Sequence, residues 1–346
     1  MARASGARSP DPGYQSPFSL GYHSDMRVLI TGITGFVGSH LAEYLFSTRP
    51  EVELFGLKRW RSSTAELAGL LPVLRLIDGD LLDAPSLLRA LQASRPDVIF
   101  HLAASSSVAG SWDTPNEMVQ VNVIGTLNLL EAMRQLDLDA PVVLPSSAEV
   151  YGAVPETQQP IKEDQPFRPV SPYGVAKAAV DLLGVQYFET FRIRTIRLRL
   201  FNNCGPRQPE RFVISGLARQ LADIEAEQRP AQVHAGNLEI RRDFLDVRDA
   251  VRAYWMAATL GKPGEVYNVA SGRARSIREI LDGLCRLSEA RNVEVVFDAA
   301  RLRPADIPTL SGDPTRFRLT TGWEPAVPFE QTLHDTLMYW RSRVRG

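Results

Sequence analysis

From Met26 onward, short apolar runs alternate with longer stretches in which apolar residues return every three or four positions. The runs Arg27-Val28-Leu29-Ile30, Val52-Glu53-Leu54-Phe55, Val73-Leu74-Arg75-Leu76-Ile77, Val98-Ile99-Phe100-His101-Leu102 and Pro141-Val142-Val143-Leu144 read as strands, as does the stretch 194–200. Their short length and nearly continuous apolar character are those of strands covered on both faces. Between them, residues 36–47, 84–93, 119–136 and 173–191 carry the period of amphipathic helices. Strand and helix in strict alternation predict an α/β fold, a doubly wound parallel sheet with helices on both faces. After Phe201 the rhythm breaks, and Pro206, Pro209, Pro230, Pro263, Pro304, Pro308, Pro314 and Pro325 punctuate shorter elements. This part is expected to form a smaller mixed C-terminal lobe, with Val266-Tyr267-Asn268-Val269-Ala270 returning a strand to the main sheet. The expected organisation is a flexible extension over 1–25, a sheet domain over 26–200 with returning segments near 244–270, and a mainly ligand-binding lobe over 201–346.

Composition narrows the function more than the fold. The chain has 346 residues and a formal net charge of −1, so no global basic field recruits nucleic acid or an anionic membrane. No apolar run approaches the roughly 20 residues that span a bilayer. Residues 1–25 are rich in Gly, Ser, Pro and Arg and lack the apolar core of a signal peptide. The cysteines are Cys204 and Cys285, which predicts a reduced, cytoplasmic setting. The histidines at 23, 40, 101, 234 and 334 show no ligand spacing, so no metal is expected. Asp243, Asp246 and Asp249 are expected to serve packing and a helix start, and Tyr254, Trp255 and Trp340 to lie in the core rather than at a cofactor.

Where the first strand turns into the first helix, the sequence reads Thr31-Gly32-Ile33-Thr34-Gly35-Phe36-Val37-Gly38. Gly32 permits a tight turn, Gly35 removes a side chain facing a phosphate, and Gly38 lets helix and strand pack closely. A helix N-terminus there presents free N–H groups to a pyrophosphate. The strand–turn–helix context makes a dinucleotide site the reading of this motif. After the second strand, Gly56-Leu57-Lys58-Arg59-Trp60-Arg61-Ser62-Ser63 has no acid for a ribose 2′-hydroxyl. Arg59 and Arg61, with Ser62 beside them, suit a 2′-phosphate instead, because a guanidinium binds it through parallel donors. The expected cofactor is therefore NADP.

The fifth strand runs into Ser146-Ser147-Ala148-Glu149-Val150-Tyr151-Gly152, and Tyr173-Gly174-Val175-Ala176-Lys177 follows on a helix. A spacing of four places Tyr173 and Lys177 on one helix face. The ammonium is expected to lower the phenol's pKa so that it takes a proton from a sugar hydroxyl.

With these motifs in place, residues from Met26 to Trp340 resemble the extended short-chain dehydrogenase/reductase family. Within it they are most similar to the GDP-mannose 4,6-dehydratase and GDP-4-keto-6-deoxymannose reductase branch. The resemblance implies a Rossmann-type sheet and the catalytic set Ser147, Glu149, Tyr173 and Lys177. It implies cofactor contacts at Asp80, Leu81, Leu102, Ala103 and Ala104, in addition to Gly32, Thr34, Gly35, Phe36, Val37 and Gly38. For the sugar nucleotide it implies Ser107, Trp112, Asn202, Arg207, Glu210, Phe212, Val213, Asn237, Arg242, Arg303 and Asp306. In the dehydratase reading, which leads here, Tyr173 removes the C4 hydroxyl proton, Glu149 the C5 proton, and water leaves from C6. Ala148 stands where some sugar dehydratases carry an acid, and this keeps the NADPH-consuming 4-keto reductase as the alternative. An NADP-sensing regulatory protein on the same fold is the alternative of another class. The resemblance also implies a GDP-sugar as substrate and a homodimer or homotetramer.

Overall fold

A computed structural model describes residues 26–302 and 304–345; residues 1–25, read above as a flexible extension, and Arg303 lie outside them. The strands are β1 (Met26–Thr31), β2 (Val52–Lys58), β3 (Arg75–Asp78), β4 (Val98–His101), β5 (Val142–Ser147), β6 (Thr195–Leu200), β7 (Asn202–Cys204), β8 (Gln232–Ala235), β9 (Arg241–Asp246), β10 (Val266–Val269), β11 (Ala274–Ser276), β12 (Glu294–Phe297) and β13 (Thr309–Leu310). The helices are α1 (Phe36–Thr48), α2 (Ala84–Ser94), α3 (Pro115–Met118), α4 (Gly125–Gln135), α5 (Pro172–Phe191), α6 (Val213–Glu225), α7 (Val247–Leu260), α8 (Ile277–Leu287), α9 (Thr315–Thr321) and α10 (Phe329–Arg345).

The main sheet has seven strands in the order β10-β6-β5-β4-β1-β2-β3, all parallel. Strand order reverses beside β1, which leaves a crevice at the carboxyl ends of β1 and β4, the usual ligand position of such a sheet. Each face of the sheet has its own core. On one, Leu41 of α1 and Val251 of α7 pack with Val28, Ile30 and Phe100. On the other, Leu87 of α2, Leu129 of α4 and Val180 of α5 pack with Leu29, Ile99 and Leu144. The alternate residues of β1 thus serve opposite cores, which is why this strand reads as continuously apolar. A third core joins α6, α8 and α10 in the C-terminal lobe.

The helix expected over 119–136 is built differently. It begins at Pro115, and residues 119–124 form a π-helical turn before α4. The wide turn carries Asn122, whose side chain accepts from the Ser105 amide at 2.8 Å and donates to the Ser105 carbonyl at 3.0 Å. This double bond clamps the loop that leaves β4.

The three carboxylates of the 243–249 run all act on the backbone. Asp246 caps α7 by accepting from the Arg248 amide. Asp249 accepts from the amides of Ala326 and Val327, and Asp243 from those of Ser271 and Gly272. Among the described residues, no helix is long and apolar enough to cross a membrane.

Candidate active site

The crevice at the strand ends opens into a cavity of about 490 Å³ between the sheet and the C-terminal lobe, within the range of small-molecule sites. Its floor is the glycine turn. Gly32 sits at φ +68°, and a Cβ there would come within 2.6 Å of the Ala103 nitrogen. Gly38 could not carry a Cβ without striking the Gly32 carbonyl. Gly35 precedes α1, whose first turn has no acid and no side-chain cap, so its N–H groups and positive dipole end face the cavity. Thr34, Phe36 and Val37 complete this wall. The backbone cradle and the uncapped helix end fit a dinucleotide's pyrophosphate.

A buried chain of hydroxyls and imidazole fixes the next wall. The His101 ring bonds Thr31 on one side and Thr126 on the other, each at 3.0 Å. Thr31 Oγ1 also accepts from the Ala103 amide at 3.1 Å. Burial, with the Lys177 ammonium nearby, pushes His101 down to about 3, so the ring stays neutral and serves as a spacer under Leu102 and Ala104, which line the cavity.

The catalytic candidates converge on the cavity from β5 and α5. Ser147 ends β5, and its hydroxyl accepts from the Glu149 amide at 3.2 Å. Ser171 caps α5 through the Gly174 amide, with Pro172 in the first turn. A Cβ at Gly174 would lie 2.9 Å from the Glu149 carbonyl, so this glycine lets α5 approach the Ser147–Glu149 turn. Ser147 stands close enough to Tyr173 for its hydroxyl to lower the phenol's pKa. The Lys177 ammonium lies 5.9 Å from the Tyr173 ring centre and donates to the Pro145 carbonyl at 2.8 Å.

The electrostatics correct one expectation. Lys177 was expected to draw the phenol's pKa down. Instead burial dominates: Tyr173 is pushed up to about 12, against the lowering effect of the Ser147 hydrogen bond and with a further rise from Glu149. Burial also pulls Lys177 down to about 8. In this environment Tyr173 is a neutral phenol and Lys177 titrates near physiological pH.

The remaining expected residues separate into groups. Ser107, Asn202, Phe212 and Val213 line the same cavity. Arg207 lines it too, but its guanidinium is taken: it pairs with Glu43 of α1 at 2.9 Å through Nη1 and donates to His40 at 3.2 Å through Nε. Arg242 is buried behind the cavity, donating to the Ile307 carbonyl at 2.6 Å, with Asp306 at 3.7 Å. Glu210 pairs with Arg219 at 2.9 Å. Asn237 borders a separate shallow pocket with Leu238 and Phe297. Trp112 has a buried ring nitrogen with no partner among the described residues. Arg59 and Arg61 are exposed just beyond β2, and Ser62 closes the turn by donating its amide to the Arg59 carbonyl. Arg61 stacks 4.3 Å from the Trp60 ring, while Lys58 is occupied by Asp78 at 2.5 Å. Asp80 is exposed and accepts from the Leu82 amide, and Leu81 is buried beneath it. Tyr254 lies in the core, as expected, and also borders the cavity; its amphipathic helix gave no sign of this second contact.

With this geometry established, the similarities to known proteins become specific. The family described as GDP-mannose 4,6 dehydratase matches residues 29–336 by its sequence model. The GDP-6-deoxy-D-mannose reductase of Pseudomonas aeruginosa is 36% identical, covering 92% of this chain and 98% of its own. A GDP-mannose 4,6-dehydratase of Vibrio cholerae is 33% identical over 90% of this chain and 93% of its own. The structure of RMD from Pseudomonas aeruginosa, complexed with NADPH, superposes with a TM-score of 0.80 at 33% identity, covering 92% of this chain and all of that one. Glycine turn, Ser-Tyr-Lys cluster and two-lobed cavity therefore have one common explanation: the chain belongs to the GDP-mannose 4,6-dehydratase family of extended short-chain dehydrogenase/reductase enzymes.

Proposed function

We propose that this enzyme performs NADP(H)-dependent redox chemistry at C4 of a GDP-linked hexose, and that the reaction is reduction of a 4-keto group. The observation that carries this reading is the Tyr173 phenol, placed beside Ser147 in the cavity wall and kept protonated by burial. A ketone reduced to an alcohol gains a hydride on carbon and a proton on oxygen. The nicotinamide, when bound, supplies the hydride. Tyr173 Oη supplies the proton, Ser147 Oγ orients that oxygen, and the Lys177 ammonium behind it stabilises the phenolate left after transfer. Ala148 supports the same direction, since a buried methyl stands where some dehydratases place an acid. The likeness to the Pseudomonas reductase over nearly its whole length agrees with it.

NADP rather than NAD is supported by Arg59 and Arg61, which have no acidic partner among the described residues and stand at the end of β2. Cytoplasmic activity as a homodimer or homotetramer completes the proposal; pairing would cover the exposed Val175 and Leu182 of α5.

A second reading, 4,6-dehydration of GDP-mannose, is favoured by Glu149. This buried carboxylate lines the cavity close enough to Tyr173 to raise its pKa, which suits a base for the C5 proton. Glu149→Gln separates the two. Keto reduction should stay within about tenfold of wild type, because no step needs a carboxylate base. A loss on the order of 10²–10⁴, with reduced cofactor accumulating from GDP-mannose, would move the assignment to the dehydratase.

A further inference from the structure

Tyr254 is 2% exposed and sits in the core shared by α1 and α7. Its ring packs edge-on to Phe100 of β4, with centres 6.4 Å apart. Its hydroxyl, however, has no hydrogen-bond partner among the described residues, and it is not one of the sealed, orphaned polar atoms of the interior. The side chain borders the active-site cavity, so its small remaining exposure is to that space. A buried phenol with an unused hydroxyl is costly unless something fills the role.

The position says what that is. Tyr254 approaches from the sheet face covered by α1 and α7, whereas α5 covers the other face. Tyr173 and Tyr254 therefore stand on opposite sides of the crevice across the strand ends, where a dinucleotide lies in this architecture. Tyr254 shares the cavity with Pro145, Ser147, Tyr173 and Lys177, while Arg59 and Arg61 do not border it. The oxygen of Tyr173 is near enough to add to the rise that burial imposes on Tyr254. The hydroxyl thus belongs to the reactive end of the cavity, away from the adenosine end.

We propose that the Tyr254 hydroxyl is a positioning contact for the nicotinamide half of the dinucleotide, made from the side of the crevice opposite Tyr173. It rests on the cofactor reading above. A phenol that stays neutral can donate or accept, and a carboxamide offers both an oxygen and an NH₂ group. Bonding there fixes the ring's rotation, so that one face is held toward the substrate and Tyr173. Tyr254 exchanges no proton in the reaction.

The test is binding by Tyr254→Phe, which keeps the ring and its packing. NADPH affinity is followed by nicotinamide fluorescence, and that of 2′,5′-ADP, which lacks the nicotinamide half, by calorimetry. The expected result is NADPH affinity weakened roughly threefold to tenfold, the worth of one neutral hydrogen bond, with 2′,5′-ADP affinity and melting temperature unchanged. Equal NADPH binding by wild type and Tyr254→Phe overturns the inference, as does an equal loss for both ligands. Wild-type protein that fails to bind NADPH overturns the cofactor reading itself, and this inference with it.

Discussion

Lys177 holds its proton weakly. Its ammonium is buried, donating to the Pro145 carbonyl, and the burial brings it down to about 8. In the proposed reaction the charged form stabilises the Tyr173 phenolate, so activity should be full below about 8 and fall as Lys177 deprotonates above it. Because kcat/KM reports the free enzyme, its basic limb should lie near that value, well below the Tyr173 phenol at about 12. Lys177→Arg, which cannot lose its charge in this range, should push the limb upward in whatever activity remains. An unmoved limb would assign it to another group. The pairing of Tyr173 with Lys177 was legible from their spacing of four. The balance of their pKa values was not, because burial depends on how α5 packs against β5, and no local pattern encodes that. The same limit hid which core residue of α7 also borders the cavity, namely Tyr254.

At the scale of elements, α5 is held in place by charge as well as by packing. Arg197 and Arg199 point from β6 to one buried carboxylate, Asp181, at 2.8 and 2.9 Å. Arg199 also donates to the Tyr151 hydroxyl at 3.0 Å and the Glu163 carbonyl at 2.7 Å. Asp181 lies one turn beyond Lys177, so this network sets the height of α5 against the sheet. Removing one member of a buried pair leaves the others uncompensated, at a cost of about 3–5 kcal/mol. Asp181→Asn should lower unfolding stability in denaturant by that order; a change under ~1 kcal/mol would show that the arginines find other partners. The sequence read β6 correctly as a buried strand despite its two arginines, because the flanking residues are apolar. What a one-dimensional pattern could not show was the π turn at 119–124, which carries the Asn122 side chain bonded to Ser105.

On the scale of the whole molecule, the sheet supplies the floor of the cavity and the C-terminal lobe closes over it. The parallel fold was written plainly in the alternation of elements. The lobe's residues were harder to place, since their partners come from distant segments. Arg207, expected at the sugar nucleotide, lines the cavity and also ties the loop before α6 to Glu43 and His40 of α1. Arg242 holds Ile307 and Asp306 in place from behind the cavity. In the proposed reaction hydride passes to the sugar and does not return within a turnover. Purified enzyme with NADPH and GDP-4-keto-6-deoxymannose, followed at the absorbance of reduced nicotinamide and by mass spectrometry, tests it directly. The expected result is one NADPH oxidised per sugar and a product heavier by two hydrogens, with no water lost from GDP-mannose supplied with catalytic NADP⁺. Loss of water from GDP-mannose, together with an inert keto sugar, would contradict it.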